Sequence, residues 1–150
     1  MGIPPERTND LIGAVAANVY MLLIISVFTT RLVGRPELEY WIGLISLVIV
    51  VPLLYLFIVG LQTNRPLIYL VWLGLMILFQ VAELMVDYVL KLDFRSVQWA
   101  VIPYVVFFFG ATGGMIGLAR QAGRPWAIVT SLIFLIMATM AFIQRAKTGL

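Results

Sequence analysis

The residues Leu11 to Thr30 read LIGAVAANVYMLLIISVFTT, a run of twenty positions without a charged side chain. An α-helix rises about 1.5 Å per residue and the hydrocarbon layer of a bilayer is about 30 Å thick, so about 20 mostly apolar residues are enough to cross it. Asn9 and Asp10 precede the run and suit the N-cap of a helix. The stretch therefore predicts a membrane-spanning helix.

Four further apolar runs follow, and the connectors between them are short. The predicted spans cover about residues 11–30, 40–61, 66–90, 97–118 and 125–143 of the 150-residue chain. Nothing is left over that could form a separate soluble domain. The sequence therefore predicts an all-α, polytopic integral membrane protein, a bundle of five transmembrane helices that forms a single domain over residues 1–150.

The composition also indicates that most of the chain lies in lipid and not in water. Apolar residues make up 63% of the chain and charged residues 11%, against about 25% charged residues in soluble domains. A soluble domain of this length leaves too much surface in water to hide so many apolar side chains. These figures exclude a soluble globular protein, a disordered chain and a nucleic-acid binder in water.

The chain contains no cysteine and no histidine. Disulfides, thiolate nucleophiles, Cys- or His-ligated zinc, His-ligated haem, iron–sulfur clusters and the Ser-His-Asp triad are therefore excluded. A metal would have to be a hard ion held by oxygen atoms, and the carboxylates are too widely spaced to resemble a known cation loop. The sequence predicts neither a metal nor a cofactor.

The third predicted span carries the polar residues Gln80, Glu83 and Asp87 at helical spacing, on one face. Glu83 lies roughly 7 Å from the middle of this span, where a charged side chain costs roughly 2–3 kcal/mol or more unless it faces protein or water. We expect a polar vestibule with Glu83 at its floor. Its expected partners come from the same end of neighbouring helices, namely Tyr104 with Arg31, Arg95 or Arg145 as counter-charges.

Three interpretations of this cluster remain open. Glu83 could form a structural pair with Arg31 or Tyr104, it could handle a proton, an ion or a substrate, or it could act as a general base. The ligand- or ion-binding candidates are accordingly Glu83, Asp87, Gln80, Tyr104 and Arg31, and no catalytic residue is assigned.

The fourth predicted span contains two overlapping Gly-x-x-x-Gly pairs, Gly110 with Gly114 and Gly113 with Gly117. Such pairs let another helix approach closely, either within the bundle or from a second subunit. A homo-oligomer or a partner in a membrane complex is therefore an open expectation.

Basic residues outnumber acidic ones by ten to seven. Arg7, Arg65, Arg120 and Arg124 fall on one side of the five spans, and six Lys and Arg residues fall on the other. This difference favours an outside N-terminus and a cytoplasmic C-terminus. The expected partners are membrane lipids, with anionic headgroups near Arg65, Arg120 and Arg124, and not nucleic acid.

These features favour a small, non-enzymatic membrane protein, either an accessory or interaction subunit or a ligand-binding membrane component that packs through the glycine-rich helix. A small solute, ion or proton transporter that uses Glu83 is the alternative. A lipid-processing enzyme is less favoured, because the sequence offers carboxylates but no identifiable nucleophile.

Overall fold

The computed structural model describes residues 5–91 and 98–148, and these residues form helices and no strand. Five helical segments are long and apolar enough to cross a membrane. The prediction of an all-α multi-pass membrane protein is therefore confirmed. The helices are α1 (Pro5–Leu32), α2 (Pro36–Leu47), α3 (Val50–Gln62), α4 (Leu67–Glu83), a π-helical turn (Leu84–Val89), α5 (Gln98–Gln121) and α6 (Arg124–Thr148).

The first and last helices of the chain, α1 and α6, are longer than the apolar runs that predicted them. The runs covered 11–30 and 125–143, because hydropathy marks only the part of a helix that lies in hydrocarbon. At its C-terminal end α1 stops in a Schellman motif: Gly34 adopts φ +71°, and the N–H of Arg35 bonds the Thr30 carbonyl at 2.9 Å. The end of α3 repeats this arrangement with Asn64 at φ +51°.

The second span is divided at Val48 and Ile49 into α2 and α3. Pro52 has no N–H, and its ring conflicts with a regular helix around the carbonyl four residues earlier, at Val48. The chain tightens there, because the N–H groups of Val48 and Ile49 bond carbonyls only three residues back. The sequence placed Pro52 inside one span without predicting this break.

The third span also departs from α-helical geometry. After Glu83 the backbone forms the π-helical turn Leu84–Val89, and the Leu90 N–H bonds the Met85 carbonyl five residues back at 2.8 Å. The α-helical spacing of residues 80, 83 and 87 therefore holds only as far as Glu83. Such turns occur mostly as local interruptions of α-helices, often at functional sites.

Helix α1 is the centre of the bundle. Half of its most apolar window is buried, compared with 11% for α6. It packs against α2, α5 and α6, while α4 packs against α3 and α5. Tyr20 and Met21 of α1 are fully buried beside Met76 and Phe79 of α4 and Met115 of α5. Since lipid is as apolar as this core, van der Waals packing rather than escape from water holds the helices together.

Each end of the bundle is joined by an ion pair. At one end, Arg65 Nη2 lies 2.9 Å from Asp10 Oδ1, which ties the α3–α4 connection to the start of α1. At the other end, Arg31 of α1 pairs with Glu39 of α2. All four side chains are partly buried.

The glycine-rich face of α5 is divided between two surroundings. A Cβ atom on Gly117 would lie 2.5 Å from two ring carbons of Trp72 in α4, and one on Gly114 would lie 3.0 Å from that ring. At Gly110 and Gly113 a Cβ would meet nothing within 4 Å. Half of the predicted packing face is therefore used inside the bundle.

This division predicts opposite effects of two Gly→Ala substitutions in α5. Gly117→Ala forces the rigid Trp72 ring away from the helix and should lower the free energy of unfolding by about 1–3 kcal/mol. Gly110→Ala is the matched control, because it adds a methyl group in open space and should be neutral or slightly stabilising, within about 1 kcal/mol. Reversible unfolding in mixed detergent micelles measures both. Equal losses at the two positions would contradict the packing described.

Candidate functional site

A cavity of about 700 Å³ opens at the end of the bundle where α1 finishes and α2 begins. The π-helical turn, the first half of α5 and the end of α6 complete its wall. The wall is amphipathic: Phe108, Phe109 and Phe142 form its apolar part, and Glu83, Asp87 and Tyr104 form its polar part. Charged side chains also line the cavity, namely Arg31, Glu39, Lys91 and Arg145.

Glu83 and Tyr104 form a polar contact inside the cavity, which we call the cavity floor. The Tyr104 hydroxyl donates a hydrogen bond to Glu83 Oε1. Both side chains are partly buried. Such a bond offsets part of the cost of placing a carboxylate within the membrane and fixes its orientation. The sequence proposed this pairing from the depth of the two residues alone.

Aromatic packing fixes the position of Tyr104. Its ring centroid lies 5.6 Å from that of Phe79, which is fully buried in α4. Phe79 also contacts Phe107 and Phe108 of α5, with centroid distances of 5.3 and 5.6 Å. These edge and tilted contacts stabilise aromatic clusters. The floor of the cavity is therefore held between α4 and α5.

The side of the cavity next to α2 is formed by Asp87 and Tyr88 of the π-helical turn. The Tyr88 hydroxyl donates a 3.3 Å hydrogen bond to the Tyr40 carbonyl, and the two rings lie 5.3 Å apart. Gly43 makes this approach possible, since a Cβ atom there would overlap the Tyr88 hydroxyl. The turn thus brings Asp87 and Glu83 to the same cavity.

Arg31 lines the cavity, but its carboxylate partner in the structure is Glu39. The Arg31 Nε donates to Glu39 Oε1 at 2.8 Å, and Nη2 donates to the same oxygen. The sequence had instead offered Arg31 as a counter-charge to Glu83. Arg145 also lines the cavity, and Arg95 falls outside the described residues.

Gln80 is buried between the helices, one turn deeper than Glu83, and is only 1% exposed. Neither its amide nitrogen nor its amide oxygen has a hydrogen-bond partner within the described part of the chain, and the same is true of the fully buried Tyr20 hydroxyl. Tyr20 of α1 belongs to the same buried cluster as Phe79, the residue that precedes Gln80 in α4. Polar atoms thus continue inward from the cavity floor.

Sequence reasoning missed several residues of the cavity. An acidic residue near the start of a helix, such as Glu39, is expected from the helix dipole alone and does not indicate a cavity. A tyrosine near the end of a span, such as Tyr88, is typical of the membrane boundary and does not indicate one either. No sequence signal separates the apolar wall from ordinary apolar spans, because only the three-dimensional arrangement brings Phe108, Phe109 and Phe142 to the same cavity as Glu83.

The arrangement can hold a small molecule with both polar and apolar parts. Carboxylate and phenol oxygens can accept or donate hydrogen bonds at the floor, and phenyl rings can cover an apolar portion. Within residues 5–91 and 98–148, no group of three or more acidic side chains is arranged to hold a metal ion.

Comparison with known proteins adds no analogy. The chain matches no protein-family model, and no curated protein or solved structure is significantly similar to it. Its function therefore has to be argued from the chemistry of this cavity.

Proposed function

We propose that the chain is a non-enzymatic, ligand-binding component of the membrane and that the cavity at Glu83 is its binding site. The observation that carries this proposal is a cavity of about 700 Å³ whose floor combines Glu83 with Tyr104 and whose wall includes the rings of Phe108, Phe109 and Phe142. Ligand sites commonly have volumes of 300–1,000 Å³, mostly apolar linings and a few converging polar groups.

The ligand is an amphipathic small molecule. Its polar group hydrogen-bonds to Glu83 and Tyr104, and its apolar part lies against Phe108 and Phe142. A purely apolar ligand would leave the carboxylate of Glu83 without water in a closed site, which is unfavourable. A purely polar ligand would gain nothing from the phenyl rings.

An accessory role in a larger assembly is the second part of the proposal. Trp72 already occupies the face at Gly114 and Gly117, so a partner helix would approach at Gly110 and Gly113, where the surface is open. This partner is either a second copy of the chain or another membrane protein. A lipid-processing activity is less favoured, since the sequence carries no recognisable catalytic motif beside its carboxylates.

The proposed orientation has the N-terminus outside and the C-terminus in the cytoplasm. The spans predicted from the sequence assign six Lys and Arg residues to the side of the C-terminus and four to the side of the N-terminus, and the more basic side usually faces the cytoplasm. Arg31, Lys91 and Arg145 line the cavity and belong to the more basic side, so the site opens towards the cytoplasm in this orientation.

Blocking the cavity tests the proposed binding site. Val105 lines the cavity, whereas its neighbour Val106 is 68% exposed on the outside of the bundle. Val105→Trp fills the site and Val106→Trp is the matched control. In a thermal-shift screen with amphipathic amines, carboxylic acids and zwitterions, compounds that stabilise the wild type should also stabilise Val106→Trp but not Val105→Trp, since only a ligand bound to the folded state raises its stability.

A second variant separates the polar contact from the volume of the site. Glu83→Gln keeps the shape of the cavity. It should weaken the binding of the same compounds by about tenfold or more, as expected for the loss of a hydrogen bond to a charged group. Stabilisation that survives in Val105→Trp, or a screen in which no compound stabilises the wild type, would contradict a ligand-binding cavity.

Transport is the alternative function, and one observation favours it. Beyond Glu83, the polar atoms of Gln80 and Tyr20 continue into the core without a hydrogen-bond partner in the described structure. Intramembrane carboxylates followed by further polar groups are typical of proton and ion pathways. Glu83 would then be the group that accepts and releases the proton.

Proteoliposomes with an internal pH-sensitive dye test this alternative. Transport predicts a proton flux under an imposed pH gradient that Glu83→Gln abolishes and Tyr20→Phe reduces. The control is Thr139→Val, which removes an exposed hydroxyl that bonds only its own helix. If wild-type and protein-free vesicles leak at the same rate, proton transport is excluded, whereas the ligand-binding proposal is judged by the thermal-shift screen.

A further inference from the structure

We propose that a groove between α5 and α6, at the end of the bundle opposite the cavity, binds one anionic phospholipid. The groove has a volume of about 570 Å³ and runs along the outside of the bundle. One end of the groove is formed by Arg120, from the last turn of α5, and Arg124, the first residue of α6. The rest of the groove is lined by apolar side chains, including Ile128 and Leu132, and by Ser131.

The two arginines are available to a ligand. Both side chains are exposed, and neither forms an ion pair with a carboxylate of the described residues. Arg65 lies on the same side of the bundle but differs in this respect, since it pairs with Asp10 at 2.9 Å and covers the ring of Tyr69. The structure therefore separates Arg120 and Arg124 from Arg65 as candidates for headgroup binding.

The shape and chemistry of the groove match one phospholipid. Two guanidinium groups can bind a phosphate through charge-assisted hydrogen bonds, and the start of α6 adds the positive end of a helix dipole. Ile128 and Leu132 are 52% and 57% exposed, so they face the hydrocarbon where an acyl chain would lie along them. A soluble phosphate would use only the arginines, whereas a phospholipid uses the whole groove.

Native mass spectrometry of the detergent-purified protein tests the site with two lipids that share the same acyl chains. Phosphatidylglycerol should bind with a stoichiometry of one and more tightly than zwitterionic phosphatidylcholine. The double variant Arg120→Gln/Arg124→Gln should lower the affinity for phosphatidylglycerol by about 25-fold, because each basic residue near an anionic membrane surface contributes roughly fivefold in affinity. The matched control is Arg35→Gln/Lys147→Gln, which removes two exposed charges at the other end of the bundle and should leave binding unchanged.

A second variant tests the groove itself with the charges intact. Ala127 lines the groove, so Ala127→Phe narrows the groove and should weaken the binding of phosphatidylglycerol as well. Equal loss of binding in the control double variant would overturn the proposal in favour of diffuse charge attraction. Unchanged binding in Ala127→Phe, or full competition by glycerol 3-phosphate, would overturn it in favour of a phosphate contact without an acyl chain.

Discussion

The absence of water in the membrane interior is the constraint on which the rest of the structure depends. A polar side chain there must find its partner within the bundle, because lipid offers none. Thr130 of α6 lies 3.1 Å from the side-chain oxygen of Asn18 in α1, and Tyr104 of α5 donates to Glu83. These two contacts join different helices and help to fix which helices lie side by side, whereas other hydroxyl groups of the spans bond carbonyls of their own helix.

The two irregular segments of the backbone lie close to the cavity. The π-helical turn provides Asp87 and Tyr88, and α2, which ends just before the break at Val48, provides Tyr40 and Gly43. Departures from helical geometry are tolerated at membrane depth where they are covered by protein or line a hydrated space. The local loss of regular hydrogen bonding is thus consistent with a binding site at this end of the bundle.

Much of the fold follows from the sequence, because the length and apolarity of each run leave a spanning helix as the stable structure. The site is predictable only in part. The cost of a charge in lipid singles out Glu83, and depth brings Tyr104 and Arg31 to the same end of the bundle. Depth does not decide which side chains pair, however. Arg31 forms its ion pair with Glu39 rather than with Glu83, and the π-helical turn changes the helical spacing of the residues after Glu83. Likewise, the glycine pattern does not show that Trp72 packs against Gly114 and Gly117 and leaves Gly110 and Gly113 open.

The central claim is that Glu83 faces a water-accessible cavity inside the membrane, and the naturally cysteine-free chain allows a direct measurement. Single cysteines are introduced by Glu83→Cys, by Met76→Cys in the core and by Leu78→Cys on the outside of the same helix, and their reaction with a charged, water-soluble thiol reagent is timed. Because only a thiolate in contact with water reacts, the account predicts rapid modification at position 83 and almost none at 76 and 78. A rate at position 83 as slow as at position 78 would contradict it.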